Sequence, residues 1–298
     1  MIQKFDKRNK DILVWIDGKL YHRDKAKVSV FDSLVQGGDG VWEGLRVYNG
    51  RIFCLNEHLD RLIDSARSMN FDNIPSIDVI LKAINETLKA NNMRTDTHIR
   101  ITMSRGRKIT SGMNPKLNQF GTTLIVLAEW KPAIYHGINI KLITANIRRN
   151  SPLCLDSKIH HNNLINNILA KIEANNAGVD DAIMLDLYGF VAETNSTNIF
   201  MIRNQVVFTP IPNSCLPGIT RNKIIEICIE NNIRIVEQDI SITQLYNADE
   251  VFTTGTMGEL ARVINIDNRD ISNKGGMLKR LQELFRYKTE NEGTELAF

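Results

Sequence analysis

A lysine is a free amine at neutral pH only when burial or neighbouring cations strip its proton. Lys158, in DSKIHHNNLINNILAKIEA at 156–174, stands just ahead of a stretch whose apolar residues recur at helical spacing. That setting is compatible with a partly buried amine. Three other places suit an anion such as phosphate. Arg61, in NEHLDRL at 56–62, offers a planar guanidinium fork that matches phosphate oxygens two at a time. Ile219 and Thr220, in CLPGITR at 215–221, sit where a turn hands over to a helix, and free N–H groups at a helix start bind phosphate. In TTGTMGE at 253–259, the Thr256-Met257 turn offers backbone N–H donors. His160 and His161 invite a metal-ligand reading, but adjacent residues rarely ligate together on one face. Structural or pocket-lining roles are expected of them, and no metal site is.

These groups must be held by elements that the pattern also predicts. ILVWI, Asp17-Gly18 and KLY read as two strands around a two-residue turn, and LRVY, Asn49-Gly50 and RIFCL repeat the arrangement. A helix capped by Asn56 follows, with Leu59, Leu62, Ile63 and Ala66 on one face; a second starts near Ser76. Strands are expected at 98–104 and 122–130, joined by a polar loop at 105–121 of a length that is usually functional. Residues 131–137 (KPAIYHG) read as a linker between an N-terminal domain, 1–130, and a C-terminal domain, 138–298. In the second half a helix over 162–177 is expected to bury Ile165, Ile168, Leu169 and Ile172 and to end at Gly178. A helix starts at Thr220, Ser241-x-x-Gln244 is a capping box, and a last helix spans 277–288. Strands outnumber helices and do not alternate with them, which predicts an α+β fold with mixed sheets. GGDGVWEG at 37–44 lacks dinucleotide-loop spacing and precedes no helix, so that reading is rejected.

Net charge is +3, from 37 basic and 34 acidic residues, too balanced to imply a nucleic-acid partner. The four cysteines form no C-x-x-C pair, which argues against a zinc or thioredoxin-like site. No run approaches the ~20 apolar residues of a membrane span, and the opening residues carry no apolar signal region. A soluble, cytoplasmic setting is expected.

Taken in order, these motifs resemble the class IV (fold-type IV) pyridoxal-5'-phosphate (PLP) enzymes: branched-chain aminotransferases, D-amino-acid aminotransferases and aminodeoxychorismate lyases. The resemblance runs from about residue 12 to 285. It implies a two-domain, D-amino-acid aminotransferase-like fold with PLP in the interdomain cleft, and a homodimer. It implies that Lys158 carries the cofactor as a Schiff base, and that Arg61, Ile219, Thr220 and Thr256 hold its phosphate. Glu193, in GFVAETNSTNIF at 189–200, matches the acid that keeps the ring nitrogen protonated, so that the ring accepts electrons. Asn163 stands where branched-chain enzymes carry a tyrosine that reaches the ring oxygen. The candidate substrate contacts are Trp42, Arg46, Arg100, Arg105 and Met257. Arg46 in EGLR and Arg100 in HIR resemble branched-chain enzymes; Arg105 in SRG resembles the arginine by which D-amino-acid enzymes grip the α-carboxylate. The expected reaction is transfer of an amino group from a branched-chain L-amino acid to a 2-oxo acid such as 2-oxoglutarate. D-amino-acid or (R)-amine transfer, a lyase of the same fold and an inactive binding relative stay open.

Overall fold

A computed structural model describes residues 5–132, 138–272 and 274–298. The chain forms two compact units, one of Gln3–Pro132, Ile159–Asn163 and Glu292–Phe298, the other of Met1–Ile2, Ala133–Lys158 and Leu164–Asn291. A single cut near residue 131 does not describe this division, because Ile159–Asn163 and Glu292–Phe298 cluster with the first unit. Most of the expected linker, 133–137, lies outside the described residues.

In the first unit, β1 (Leu13–Ile16) and β2 (Lys19–His22) form the expected hairpin, with Asp17 and Gly18 at φ 45 and 88. A short helix, α1 (Ser33–Gly37), leads to β3 (Gly40–Tyr48), which turns at Asn49-Gly50 into β4 (Arg51–Ile52). Helices α2 (Leu55–Ser68) and α3 (Ile77–Ala90) follow, then β5 (Thr97–Ser104) and β6 (Thr123–Trp130). The sheet order is β4-β3-β5-β6-β1-β2, extended beyond β4 by Thr294–Glu295, and every pairing is antiparallel. Alternation along β3 and β5 sends Val41, Leu45, Val47, Ile99, Ile101 and Met103 to one face. There they pack with Leu59 and Leu62 of α2 and Ile80, Ile84 and Leu88 of α3. Ser76 caps α3 as expected, but α2 begins at Leu55 behind Cys54, so Asn56 lies inside the helix and caps nothing.

The second unit holds β7 (Ile140–Thr144), α4 (Ile165–Asn176), β8 (Asp181–Leu185), β9 (Val191–Thr194), β10 (Asn198–Arg203) and β11 (Val206–Thr209). It continues with α5 (Ile219–Glu230), β12 (Ile235–Glu237), α6 (Ile242–Tyr246), β13 (Glu250–Gly255), β14 (Glu259–Ile266) and α7 (Met277–Asn291). The sheet order is β12-β11-β10-β13-β14-β7-β8-β9. Here the pairing is mixed: β11–β12, β14–β7 and β7–β8 are parallel. The capping box at Ser241 forms, and Gly178 takes φ 71 behind α4.

The orientation of α4 departs from expectation. Its buried residues are Ala170 and Ala174, packed with Ala145, Ala182 and Met184, whereas Ile165, Ile168, Leu169 and Ile172 are exposed. At 100° per residue the alanines and the isoleucine stripe occupy opposite sides of the helix. Both sides are apolar, so periodicity alone cannot choose between them, and the small alanines let the backbone approach the sheet. Among the described residues no helix is long and apolar enough to cross a membrane.

The loop after β5 depends on one glycine. Gly106 has φ 98, and a Cβ there would lie 1.8 Å from the Gly121 carbonyl oxygen. Its own carbonyl accepts from Ser33 N and Asn118 Nδ2, so it cannot easily move. Gly106→Ala is expected to destabilise the protein by roughly 2–3 kcal/mol, read as a lower urea midpoint. A change under about 0.5 kcal/mol would contradict this account.

Candidate active site

Glu43 follows the alternation of β3 onto the apolar face, between Val41 and Leu45, and is fully buried. Each of its oxygens accepts one guanidinium and one imidazole hydrogen bond. Oε1 takes Arg61 Nε (2.7 Å) and His160 Nδ1 (3.0 Å). Oε2 takes Arg61 Nη2 (2.8 Å) and His58 Nδ1 (2.6 Å). Burial pushes this carboxyl up, but His160 and Arg61 outweigh it and hold it well below the usual carboxylate range. Burial pushes His160 down, with Glu43 opposing. His58 and Arg61 face Glu43 together because they are three residues apart on α2.

The segment after Lys158 is stitched along β3. Trp42 N donates to the His160 carbonyl (2.9 Å), Asn162 N to the Gly40 carbonyl (2.8 Å), and Trp42 Nε1 to the His161 carbonyl (3.1 Å). His160 N donates to Ser65 Oγ (3.0 Å). Asn163 ends this segment, exposed and beside Gly38.

The opposite face of β3 and β5 carries Trp42, Gly44 and Arg46 in register with Thr102, Arg100 and His98. Trp42 packs on His160 with ring centroids 4.1 Å apart, and the Arg100 guanidinium lies 3.9 Å from the Trp42 ring. Burial alone pushes Arg100 down to about 10; a neighbouring carboxylate would have opposed it. Arg46 is 3% exposed, and its Nε has no hydrogen-bond partner among the described residues. His98, pushed down to about 3 by burial and then by Lys131, Arg46 and Arg100, is neutral at physiological pH. This face thus gathers positive charge, and neither arginine on it is ion-paired to a carboxylate among the described residues.

Arg105 is in a different state. It grips Asp39 through Nε (2.7 Å) and Nη2 (3.2 Å), donates to the Met69 and Asn70 carbonyls (2.8 Å each), and lies over Phe71. Four donors of one guanidinium are engaged in bracing its own unit.

In the second unit, Glu193 of β9 pairs with Arg149 (Nε to Oε1, 2.6 Å), both nearly buried. Glu193 also accepts from Asn198 Nδ2 (3.2 Å) and Leu216 N (3.3 Å). Cys215, pushed up to about 12 by burial and by Glu193, is pulled the other way by Arg221, Arg149 and Lys158. Lys158 itself is exposed, its Nζ 3.3 Å from Asp156 Oδ1. The expected partial burial is not seen, because α4 starts seven residues later and turns its isoleucines outward.

Ile219 and Thr220 form the first turn of α5, whose N-cap, Gly218, supplies no side-chain cap. A Cβ at Gly218 would lie 2.0 Å from Asn198 Oδ1, so only glycine allows this approach. Thr256 and Met257 are half-buried in the turn joining β13 to β14. Thr254 Oγ1, in register with Asn198, and Arg149 Nη1 are buried without partners among the described residues. An uncapped helix start, a glycine-permitted approach and orphaned donors fit a phosphate-bearing group with a polar ring edge.

Sequence reasoning overlooked Glu43, His58 and Arg149. For Glu43 a signal existed: a single carboxylate at a core position of the alternating run Val41, Glu43, Leu45, Val47. Arg149, in IRRN, offers no such pattern.

The family model for class IV amino-transferases matches residues 40–266. The chain is 54% identical over 291 residues to the branched-chain-amino-acid aminotransferase-like protein 2 of Arabidopsis thaliana, covering 97% of this chain but only 52% of that relative, so it spans about half of it. It is 34% identical to the branched-chain-amino-acid aminotransferase of Pseudomonas aeruginosa, covering 93% of this chain and 92% of the relative. Among solved structures, a T.th. branched-chain amino acid aminotransferase complexed with N-(5'-phosphopyridoxyl)-L-glutamate superposes with a TM-score of 0.87 at 32% identity, covering 94% and 95% of the two chains.

Breaking the buried pair from one side leaves a buried charge unanswered. Arg149→Met is expected to cost about 3–5 kcal/mol of stability, and adding Glu193→Leu to recover much of it. Urea unfolding of the two variants decides; a single variant as stable as the parent would contradict the pairing.

Proposed function

The chain belongs to the class IV aminotransferase family, and from that premise we propose that it moves the amino group of a branched-chain L-amino acid to a 2-oxo acid such as 2-oxoglutarate, with PLP as cofactor. The cofactor supplies the electron sink for the pair released when the donor's Cα–H bond breaks. In this reading Lys158 Nζ is the covalent attachment point and afterwards carries the proton to and from Cα. Glu193 holds the ring nitrogen's proton, and Arg149 keeps that carboxylate anchored. Arg61, the first turn of α5 with Ile219 and Thr220, and the Thr256 turn grip the phosphate. Asn163 stands in place of the tyrosine of branched-chain enzymes, so any contact with the ring oxygen would come from an amide.

The observation that carries the substrate reading is the contrast among the arginines. Arg46 and Arg100 sit on one polar face, neither forms an ion pair with a carboxylate among the described residues, and Arg100 is electrostatically destabilised by burial. A substrate carboxylate relieves that cost, and a dicarboxylate such as 2-oxoglutarate brings two. Trp42 on the same face suits an aliphatic side chain, with Met257 as a further apolar contact. Arg105, engaged by Asp39 and two carbonyls, would first have to abandon four hydrogen bonds to meet a D-amino acid. The L-glutamate adduct held by the solved T.th. relative agrees in stereochemistry. Supplied with 2-oxoglutarate, the PLP-loaded protein is expected to turn over L-leucine at least tenfold faster than D-alanine, and Arg100→Ala to lower activity roughly tenfold or more. D-alanine outpacing L-leucine, with that activity abolished by Arg105→Ala, would replace this reading with the D-specific one.

The exposed isoleucine stripe of α4 also supports a homodimer. Ile165, Ile168, Leu169 and Ile172 make a contiguous apolar patch of the kind that marks an interface. Ile168→Asp should shift sedimentation from dimer towards monomer; an unchanged dimer would place the interface elsewhere.

A further inference from the structure

We propose that Glu43 is a positioning residue that sets the direction of the Arg61 guanidinium, and through it the grip on the cofactor phosphate; the inference rests on the reading of Arg61 as a phosphate ligand. Glu43 occupies a core position between Val41 and Leu45, where a carboxylate is costly unless fully compensated. The compensation is complete and symmetric. Arg61 supplies Nε to one oxygen and Nη2 to the other, a two-point contact that fixes the plane of the guanidinium. His58 and His160 take the remaining lone pairs, one on each oxygen, so the carboxylate cannot rotate away. His160 is itself tied down by Ser65 Oγ on its backbone N–H and by Trp42 on its ring. An arginine on a helix surface otherwise samples many rotamers and loses that freedom when it binds an anion. Arg61 has lost it already, which leaves less ordering to be done on phosphate binding.

One effect opposes this. The negative charge of Glu43 repels a phosphate dianion. Glu43 is matched at contact distance by Arg61, however, and all four of its lone-pair sites face donors. A phosphate therefore meets Glu43 as half of a neutral pair, and orientation outweighs repulsion. The sign of the effect distinguishes the two: if repulsion prevailed, removing the charge would tighten binding.

The test compares affinity of the apoprotein for PLP with its affinity for pyridoxal, which has the same ring and aldehyde but no phosphate, read by equilibrium dialysis and absorbance. Glu43→Gln is expected to weaken PLP about tenfold or more while leaving pyridoxal within about twofold. Arg61→Ala should likewise lower the PLP-to-pyridoxal ratio, and the double variant should be no worse than Arg61→Ala alone, because the carboxylate acts only through that guanidinium. Glu43→Asp, which keeps the charge but withdraws it by one methylene, serves with the same expected drop if Glu43→Gln does not fold. Tighter PLP binding, equal loss of both ligands, or full additivity with Arg61→Ala overturns the inference while leaving Arg61's role standing. An Arg61→Ala ratio equal to wild type overturns both.

Discussion

A carboxylate cut off from water has to be answered by donors or cations, and each unit of this protein holds such a group among its candidate site residues. In the first unit Glu43 enters an apolar face and draws in His58, Arg61 and His160. In the second, Glu193 does the same with Arg149, Asn198 and the Leu216 N–H. Desolvating a carboxylate costs several kcal/mol, and an arginine repays it only with good geometry and full use of the lone pairs. Glu43 meets that condition with a donor at each of its four lone pairs, and Glu193 accepts from Arg149, Asn198 and the Leu216 N–H. The consequence is that Arg61 and Glu193, both proposed to touch the cofactor, are not loose surface groups: their directions are dictated by buried partners.

The same rule sorts the arginines. Arg61, Arg105 and Arg149 have carboxylate partners within their own units; Arg46, buried, and Arg100, partly buried, form no ion pair with a carboxylate among the described residues. Two guanidiniums drawn partly or wholly out of water beside a neutral His98 carry an electrostatic cost that an incoming anion relieves. The polar face of β3 and β5 is therefore where substrate chemistry is expected, and the braced Arg105 is a structural element of the loop after β5. The strain-prone Gly106 follows Arg105 directly and serves the same loop.

Much of this was legible in the residues. Asp17-Gly18 and Asn49-Gly50 announce their hairpins because few other pairs tolerate two positive φ values. Ser76 and the Ser241–Gln244 box mark helix starts because the pattern is local. The α+β class followed from strand counts, and the family from motifs at Lys158, Arg61 and Glu193. What stayed hidden is long-range. Asn56 looked like a cap, but Cys54 in the left-handed region starts the helix two residues earlier. The two apolar sides of α4 are indistinguishable until a sheet chooses the alanines. Arg149 and Glu193 are 44 residues apart, and no spacing rule connects them. His160, beside the lysine motif, invited a metal reading when its partner was a carboxylate 117 residues away.

The account stands on Lys158 as the attachment point for the cofactor. Borohydride reduction of the PLP-loaded protein, followed by peptide mapping, tests it most directly. The account predicts that the pyridoxyl label is recovered on the peptide containing Lys158, and that Lys158→Ala takes up none. Recovery of the label on Lys141 or Lys171 would contradict it.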